Sequence, residues 1–465
     1  MTAWPAAAET ASSTAPELAL TLAECVMLAL RNNRDLAAAR LDRLAGRLSL
    51  EDAEDEFRLA AAFAVSADRN LTTSTLDVSP SVTLRVPTGG TFRLRANSTV
   101  TDRDTASQFV ELDFVQPFLK GAGVAVGNAG VVRARRTEDA GVLVFRSTVM
   151  RLVTATIYAY RKVSRSRREV EIAEHSLQRA RDLLAVNRIL IASGRMAEQD
   201  IVQTEATIAE RELSLTEAHG ALDDARLALI AILDVDSRSR IRPTEKLRVE
   251  RKEHDADRAV QLALQNRPDY LQAALAIENA NTGLLVADNA RKWELDLTAS
   301  ARFGHDGRSL AEAYGRFDGD YRTGLRLRIP LGADSDAQRR NWRKAEIALQ
   351  KSRLQFRELR QGIELEVRTA VREAEVQFRR IELARQSRRL AERALEIERL
   401  KLDSGLSSNF RVVAVEDDLV RNQTRELDAI LAYLNALTAL DLTLGTTLDT
   451  WRIDIDLAAR GEVEA

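Results

Sequence analysis

The chain has 465 residues, 30% of them charged and 5% aromatic, with 21 Gly, 8 Pro and a formal net charge of −2. So few aromatics and chain breakers exclude a large aromatic core and describe long helices; the near-neutral charge excludes an electrostatic basis for nucleic-acid binding. One cysteine, Cys25, rules out an intramolecular disulfide; set among Leu22, Val26, Leu28 and Leu30, it reads as a small buried hydrophobe. No unbroken apolar run approaches the ~18 residues of a spanning helix, so any membrane crossing is expected as a barrel.

Residues 1–19 form a tail rich in Ala, Ser, Thr and Pro, in which Ala6-Ala7-Ala8 is either the end of a secretory signal or part of a flexible segment. A first half, 20–240, begins with helical patterns over 20–57, broken at Asn32-Asn33. Over 58–120 the period changes to two: Phe63 and Val65, Val82 to Val86, Phe92 to Ala96 and Val110 to Phe114 alternate with Ser66, Thr83, Arg85, Arg93, Arg95, Glu111 and Asp113. Thr88-Gly89-Gly90 reads as a hairpin turn. Helical periodicity then covers 131–235, interrupted at Gly194. At 1.5 Å per residue the longer arm is about 90 Å, and such a helix needs a lateral partner, which the returning arm supplies as an antiparallel hairpin with Gly194 at its tip. The basic cluster Arg161-Lys162, Arg165, Arg167 and Arg168 is balanced by Glu169, Glu171 and Glu174 and reads as a solvated helix face.

A second half, 241–450, repeats the plan: helix over 256–288 with Pro268 at a helix start, strands over 293–331, and a hairpin over 336–445 broken at Asp403-Ser404-Gly405 and ending at Gly445 in a C-cap position. Residues 451–465 form a second tail. The halves share sequence. Val26, Leu28, Ala29, Leu30, Asn32, Asp35 and Ala39 recur 234 positions later as Val260, Leu262, Ala263, Leu264, Asn266, Asp269 and Ala273. Ser193-Gly194, Ile201-Val202 and Glu205 recur 211 positions later as Ser404-Gly405, Val412-Val413 and Glu416. The offsets differ because the first half holds about 21 more residues of β sequence, around Ser81 to Thr99, which either widen a barrel or form a flap.

Each half supplies a few strands with one apolar and one polar face, too few to close alone. A membrane barrel shared among copies, apolar outside and polar within, accounts for the alternation, and so does a soluble sandwich; helical hairpins about 90 Å long suit a tube better than a globule. Leu20 to Asn33, the strand exits Gln116-Pro117-Phe118-Leu119-Lys120-Gly121 and Ile329-Pro330-Leu331-Gly332, and Ser404-Gly405-Leu406-Ser407-Ser408-Asn409-Phe410, in this order over about residues 20–450, resemble the TolC family of outer membrane efflux proteins. The resemblance implies a mainly α fold, a trimeric α-barrel of long antiparallel hairpins continuous with an outer-membrane β-barrel, two structural repeats per chain, and a periplasmic helical part. It implies a homotrimer in outer membrane lipid. The trimer would serve a tripartite efflux pump or type I secretion system with a periplasmic adaptor (membrane fusion) protein and an inner-membrane transporter of RND, ABC or MFS type, and not as an enzyme.

By the same resemblance the hairpin tips close the periplasmic entrance, which makes Gly194, Asp200, Gly405, Arg411 and Glu416 gate candidates, and Arg302, Arg326 and Arg328 line the barrel lumen. Arg411 and Ala414 stand where family members often carry acids. Arg411 is expected either to pair with an acid on the neighbouring hairpin, such as Asp200, or to be a solvated surface residue. Nothing points to a catalytic, cofactor or metal site. Gly121-x-Gly123-x-x-x-Gly127 lacks dinucleotide-loop spacing and reads as a flexible strand-to-helix junction; the four histidines lack ligand spacing; Glu416-Asp417-Asp418 reads as a wet helix surface. The competing reading is a soluble coiled-coil interaction protein or a periplasmic adaptor. The first leaves the strands unexplained, and the second would carry a lipoyl-like module split by one hairpin instead of two hairpins in tandem.

Overall fold

The computed structural model describes residues 17–70, 73–101, 105–194, 197–245, 247–308, 310–315 and 318–455. The N-terminal segment holding Ala6-Ala7-Ala8 lies outside the described residues. In chain order the elements are β1 (Glu17–Leu20), α1 (Leu22–Asn32), α2 (Arg34–Asp55), β2 (Ala60–Arg69), β3 (Ser74–Arg85), β4 (Thr91–Thr101), β5 (Thr105–Pro117), α3 (Val124–Gly127), α4 (Ala129–Ala192), α5 (Asp200–Leu233) and β6 (Arg240–Pro243). Then follow α6 (Ala256–Asn266), α7 (Pro268–Ala290), β7 (Glu294–Gly307), α8 (Leu310–Gly315), β8 (Asp318–Arg328), α9 (Ala333–Asp403), α10 (Asn409–Leu444) and α11 (Thr447–Trp451).

The repeat is visible in the backbone. α1 and α6 begin and end 234 positions apart, and each closes with the same bond: Asn33 N donates to Ala29 O at 3.0 Å, Arg267 N to Ala263 O at 2.9 Å. Both are capped at their N-termini, α1 by a Thr21/Glu24 capping box and α6 by the Asp255 carboxylate. Pro268 opens α7, where its missing N–H costs nothing. At the hairpin turns Gly194 and Gly405, 211 apart, take φ of 69° and 74°, and each N–H donates to the carbonyl three residues back at 2.9 Å. These positive angles are where a side chain would be strained.

The chain divides into two compact units, each drawn from both halves. The first comprises residues up to Arg40, Phe145–Pro268, and from Arg360 onward. Its core joins Cys25, Ala29, Tyr160, Val163, Leu229 and Leu233, and beside them Leu30, Leu36, Phe145, Met150, Ile157 and Leu448. Trp451, Ile453 and Ile455 pack against this second cluster, so the chain past 450 continues into the core. β1 pairs in parallel with β6, Leu18 opposite Ile241, a two-stranded sheet that four-residue segments 223 positions apart do not announce in sequence.

Two expectations are corrected in this unit. Arg161 is not on a solvated face: its Nη1 donates to Leu434 O, Asn435 Oδ1 and Thr438 Oγ1 at 2.7–3.1 Å, and burial lowers its guanidinium pKa to about 10. Three other members of that cluster are paired as its sequence balance suggests, Arg165 with Glu169, and Arg167 and Arg168 with Glu171. Secondly, two helices, α4 and α10, do contain 18-residue windows apolar enough by length and composition to cross a membrane. Counting unbroken runs missed them because isolated charges, Arg146 and Arg151 in α4 and Asp428 and Asp441 in α10, interrupt the runs while the mean hydropathy stays high. Phe145, Val149, Val153 and Ile157 of α4 and Leu427, Leu431 and Leu440 of α10 are core residues.

The second unit comprises Leu41–Val144 and Asp269–Leu359. Six strands form one antiparallel sheet in the order β2-β3-β4-β5-β7-β8. The segment around Ser81 to Thr99 therefore lies within the sheet, as β3 and β4. The Val86–Gly90 turn between them has Gly89 at φ 93°, and Gly123 N donates to Thr88 O at 3.1 Å. The glycine-rich junction is thus anchored: Gly121 N also donates to Asn289 Oδ1 at 2.6 Å, and a Cβ on Gly127 would fall 2.0 Å from Pro87 O. Pro80 removes a donor from β3, and the β3–β4 ladder skips Ser79 and Pro80. Helical segments of this unit meet through Arg43 and Glu138 at 2.7 Å and through stacked Tyr270 and Phe356.

Candidate functional site

Two parts of the molecule bear on function: the faces of the six-stranded sheet and the hairpin turns. Strand alternation puts Ala61, Phe63 and Val65 of β2, Val82 and Leu84 of β3, Phe92 and Leu94 of β4, Leu112 and Phe114 of β5, Leu295 and Leu297 of β7, and Leu325 and Leu327 of β8 on one face. Phe63, Tyr321 and Leu325 are each at least 70% exposed, so nothing among the described residues covers this face there. A soluble domain does not leave such a surface in water.

The opposite face is charged. Arg302, Arg326 and Arg328 lie on it together, with Asp320, Asp296 and Glu294 respectively opposite them in register. Arg302 also lies over the Phe109 ring at 4.0 Å, and Arg95 bridges to Glu111 at 3.0 Å and to Asp113 at 3.8 Å. The interleaving of both signs keeps this face polar without a strong net field.

At the hairpin turns, α4 and α5 form the first hairpin and α9 and α10 the second. Near Gly194 and Gly405 a small core of Leu183, Leu395, Leu402, Val412 and Leu419 joins them. Polar groups are built into it. Thr204 Oγ1 of α5 accepts from Asn187 Nδ2 of α4 at 2.8 Å and from Asn409 Nδ2 of α10 at 2.6 Å, all three residues being buried. Arg179 Nε of α4 lies 2.6 Å from Glu416 Oε1 of α10, and Arg211 of α5 pairs with Asp417 of α10. One helix of the second hairpin is therefore tied by charge to both helices of the first.

The expected wet surface at Glu416-Asp417-Asp418 is corrected: Glu416 is 3% exposed and paired, Asp417 is half-buried and paired, and Asp418 alone is exposed. The periodicity explains this, because Asn409, Val412, Glu416 and Leu419 follow the 3-4-3 spacing of one helix face. Asn187 likewise continues the buried series Leu177, Ala180, Leu183. Arg179, Arg211, Asn187, Thr204 and Asn409 were not singled out from sequence; a polar residue standing in an apolar register was the available signal.

Arg411 is exposed on the first turn of α10, where its N–H is capped by Ser408 Oγ at 3.3 Å. Its guanidinium contributes to holding the Glu398 carboxyl below its ordinary value, the larger cause being the Ser407 hydroxyl that donates to Glu398 at 2.5 Å. The Asp200 side chain, its expected partner, lies outside the described residues.

Residues 259–446 match the family described as outer membrane efflux protein. Solved structures share the fold over almost the whole chain. The Campylobacter jejuni CmeC outer membrane channel matches with a TM-score of 0.73 and 14% identity, over 95% of this chain and 89% of its own. VceC, an outer membrane protein of Vibrio cholerae, matches at 0.70 and 19% identity over 91% and 96%; the open state of the Neisseria gonorrhoeae MtrE outer membrane channel matches at 0.69 and 17% over 95% and 94%. No curated protein sequence matches the chain. An amphipathic sheet with an apolar face uncovered among the described residues, and two tandem hairpins, accompany the match of residues 259–446 to the outer membrane efflux protein family and a fold shared along almost the whole chain with solved outer membrane channels.

Proposed function

We propose that three copies assemble into one tube, that Arg302, Arg326 and Arg328 line its lumen, and that the hairpin turns form a periplasmic entrance held shut at rest. The observation that carries the assembly is a seam on α9: Val376, Leu383, Leu390 and Ile397 recur every seven residues and all are exposed. A heptad seam of this length packs knobs into holes against another helix, and the chain leaves it without a partner among the described residues. Substituting Leu383→Glu together with Leu390→Glu tests it by the mass of the detergent-extracted complex: loss of the trimer is expected, and an intact trimer refutes the seam.

Two further features support a gate. The links from Glu416 and Asp417 to the first hairpin hold the turns in one arrangement, and the side-chain Oδ1 atoms of Asn187 and Asn409 are buried without a hydrogen-bond partner among the described residues. A polar junction only partly satisfied is poised to rearrange at low cost. Arg411, exposed at the turn, adds positive charge where the entrance would narrow and pairs with a neighbouring hairpin. A periplasmic adaptor docking at the turns and an inner-membrane transporter would supply the opening energy and the choice of cargo.

A further inference from the structure

The sheet has two edges, β2 and β8, and neither edge is paired or covered among the described residues. β2 and β8 are exposed at every described position along their lengths. Neither strand contains Pro or Lys or a bulge, and the charges of β8, Asp320, Arg322, Arg326 and Arg328, share the polar face, where a paired neighbour leaves them in water. The two edges also match one another. β2 runs away from the helical segment that precedes it and β8 runs back toward the one that follows, so β2 of one copy and β8 of another meet antiparallel. Even-numbered residues of both strands lie on the charged face and odd-numbered residues on the apolar face, so a register pairing even with even keeps both faces continuous.

We propose that β2 of each copy pairs with β8 of the next, so that three copies close a barrel of eighteen strands, and that β3 and β4 are barrel wall instead of an external flap. This rests on the trimeric duct proposed above. The strands, 10 to 14 residues long, suffice to span the outer membrane with tilt. Eighteen strands about 4.8 Å apart and tilted about 40° give a backbone circumference of about 113 Å and a diameter of about 36 Å. If β2 and β3 stood outside the wall and β4 were the edge, twelve strands would give about 24 Å by the same geometry.

The test is disulfide trapping in the full-length protein in outer membranes. Ala64→Cys on β2 is combined in turn with a cysteine at each even position of β8 from Asp320 to Arg328; in parallel, Asn97→Cys on β4 is combined with the same series. The native Cys25 is buried. Oxidation is expected to give covalent dimers and trimers for Ala64→Cys with one or two adjacent even positions, and none for Ala64→Cys with Leu325→Cys, which faces the other way. Cross-links from Asn97→Cys with none from Ala64→Cys overturn the proposal in favour of a twelve-stranded wall. No cross-link from either in a protein that remains an outer-membrane trimer by mass also overturns it. A protein that is no trimer, or is not in the outer membrane, overturns instead the reading on which the proposal rests.

Discussion

Glu416→Gln isolates the charge that ties α10 to the first hairpin, because the amide keeps the shape of the carboxylate and removes only its ionisation. Arg179 Nε lies 2.6 Å from Glu416 Oε1, and the side chains are 19% and 4% exposed. At a charge separation of about 4 Å and an effective dielectric of about 20, the attraction is about 4 kcal/mol. Breaking one member of a buried pair costs about 3–5 kcal/mol, mostly by stranding the other charge. The partial exposure of Arg179 lets water recover some of this, leaving about 2–3 kcal/mol, or roughly a 30- to 150-fold shift in an equilibrium. If the pair exists only while the turns are shut, the substitution moves that shift onto the open state. Single-channel recording of the purified protein in planar bilayers is then expected to show long open intervals that the wild type lacks. The double variant Arg179→Gln with Glu416→Gln removes both charges, so it should recover thermal stability while still opening. A lowered melting temperature with unchanged conductance in the single variant would refute the latch and leave the pair a packing element.

Other expectations follow from the same coordinates. Arg411→Ala should change the conductance and ion preference of the closed-to-open transition; recordings indistinguishable from wild type would make it a solvated surface residue. The Cys25 thiol is pushed up to about 12, chiefly by burial, with Glu24 and Glu245 adding to it; it should resist alkylation at pH 8 in the native protein and react fully in denaturant. Because its folded value is raised, the stability it contributes is complete below the unfolded value near 9 and lost as pH rises toward 12. Burial likewise raises the Asp441 carboxyl, against the pull of Lys252 and Arg161. Ionised Asp441 is therefore a cost at neutral pH, and Asp441→Asn should raise the melting temperature at pH 7, with the gain shrinking as pH falls through the raised value. Gly445→Ala combines a φ of 76° with a Cβ 2.8 Å from the Asn266 carbonyl, and should destabilise by more than about 1 kcal/mol in a thermal melt.

The elements legible in the sequence were those with a long or strict period. The break at Asn33, the start at Pro268, the turns at Gly194 and Gly405 and the cap at Gly445 all fall where composition put them. β1 and β6 were hidden because four residues hold no period, and their pairing joins segments at opposite ends of the first half. Arg161 and Glu416 were misplaced on solvated faces for a different reason: charge density marks a helix surface on average. A charged residue in a buried register is recognised only when the apolar neighbours at three and four residues are counted first. The ties among Arg179, Arg211, Asn187, Thr204 and Asn409 needed the tertiary structure, since their partners lie 17 to 237 positions away.

The most direct test of the account is the mass and location of the native complex. Membranes washed to remove peripheral protein, extracted in detergent and weighed by native mass spectrometry should yield an outer-membrane species of about 155 kDa, three chains of 51.6 kDa. A monomer in the soluble fraction, or a complex of any other number of chains, would contradict it.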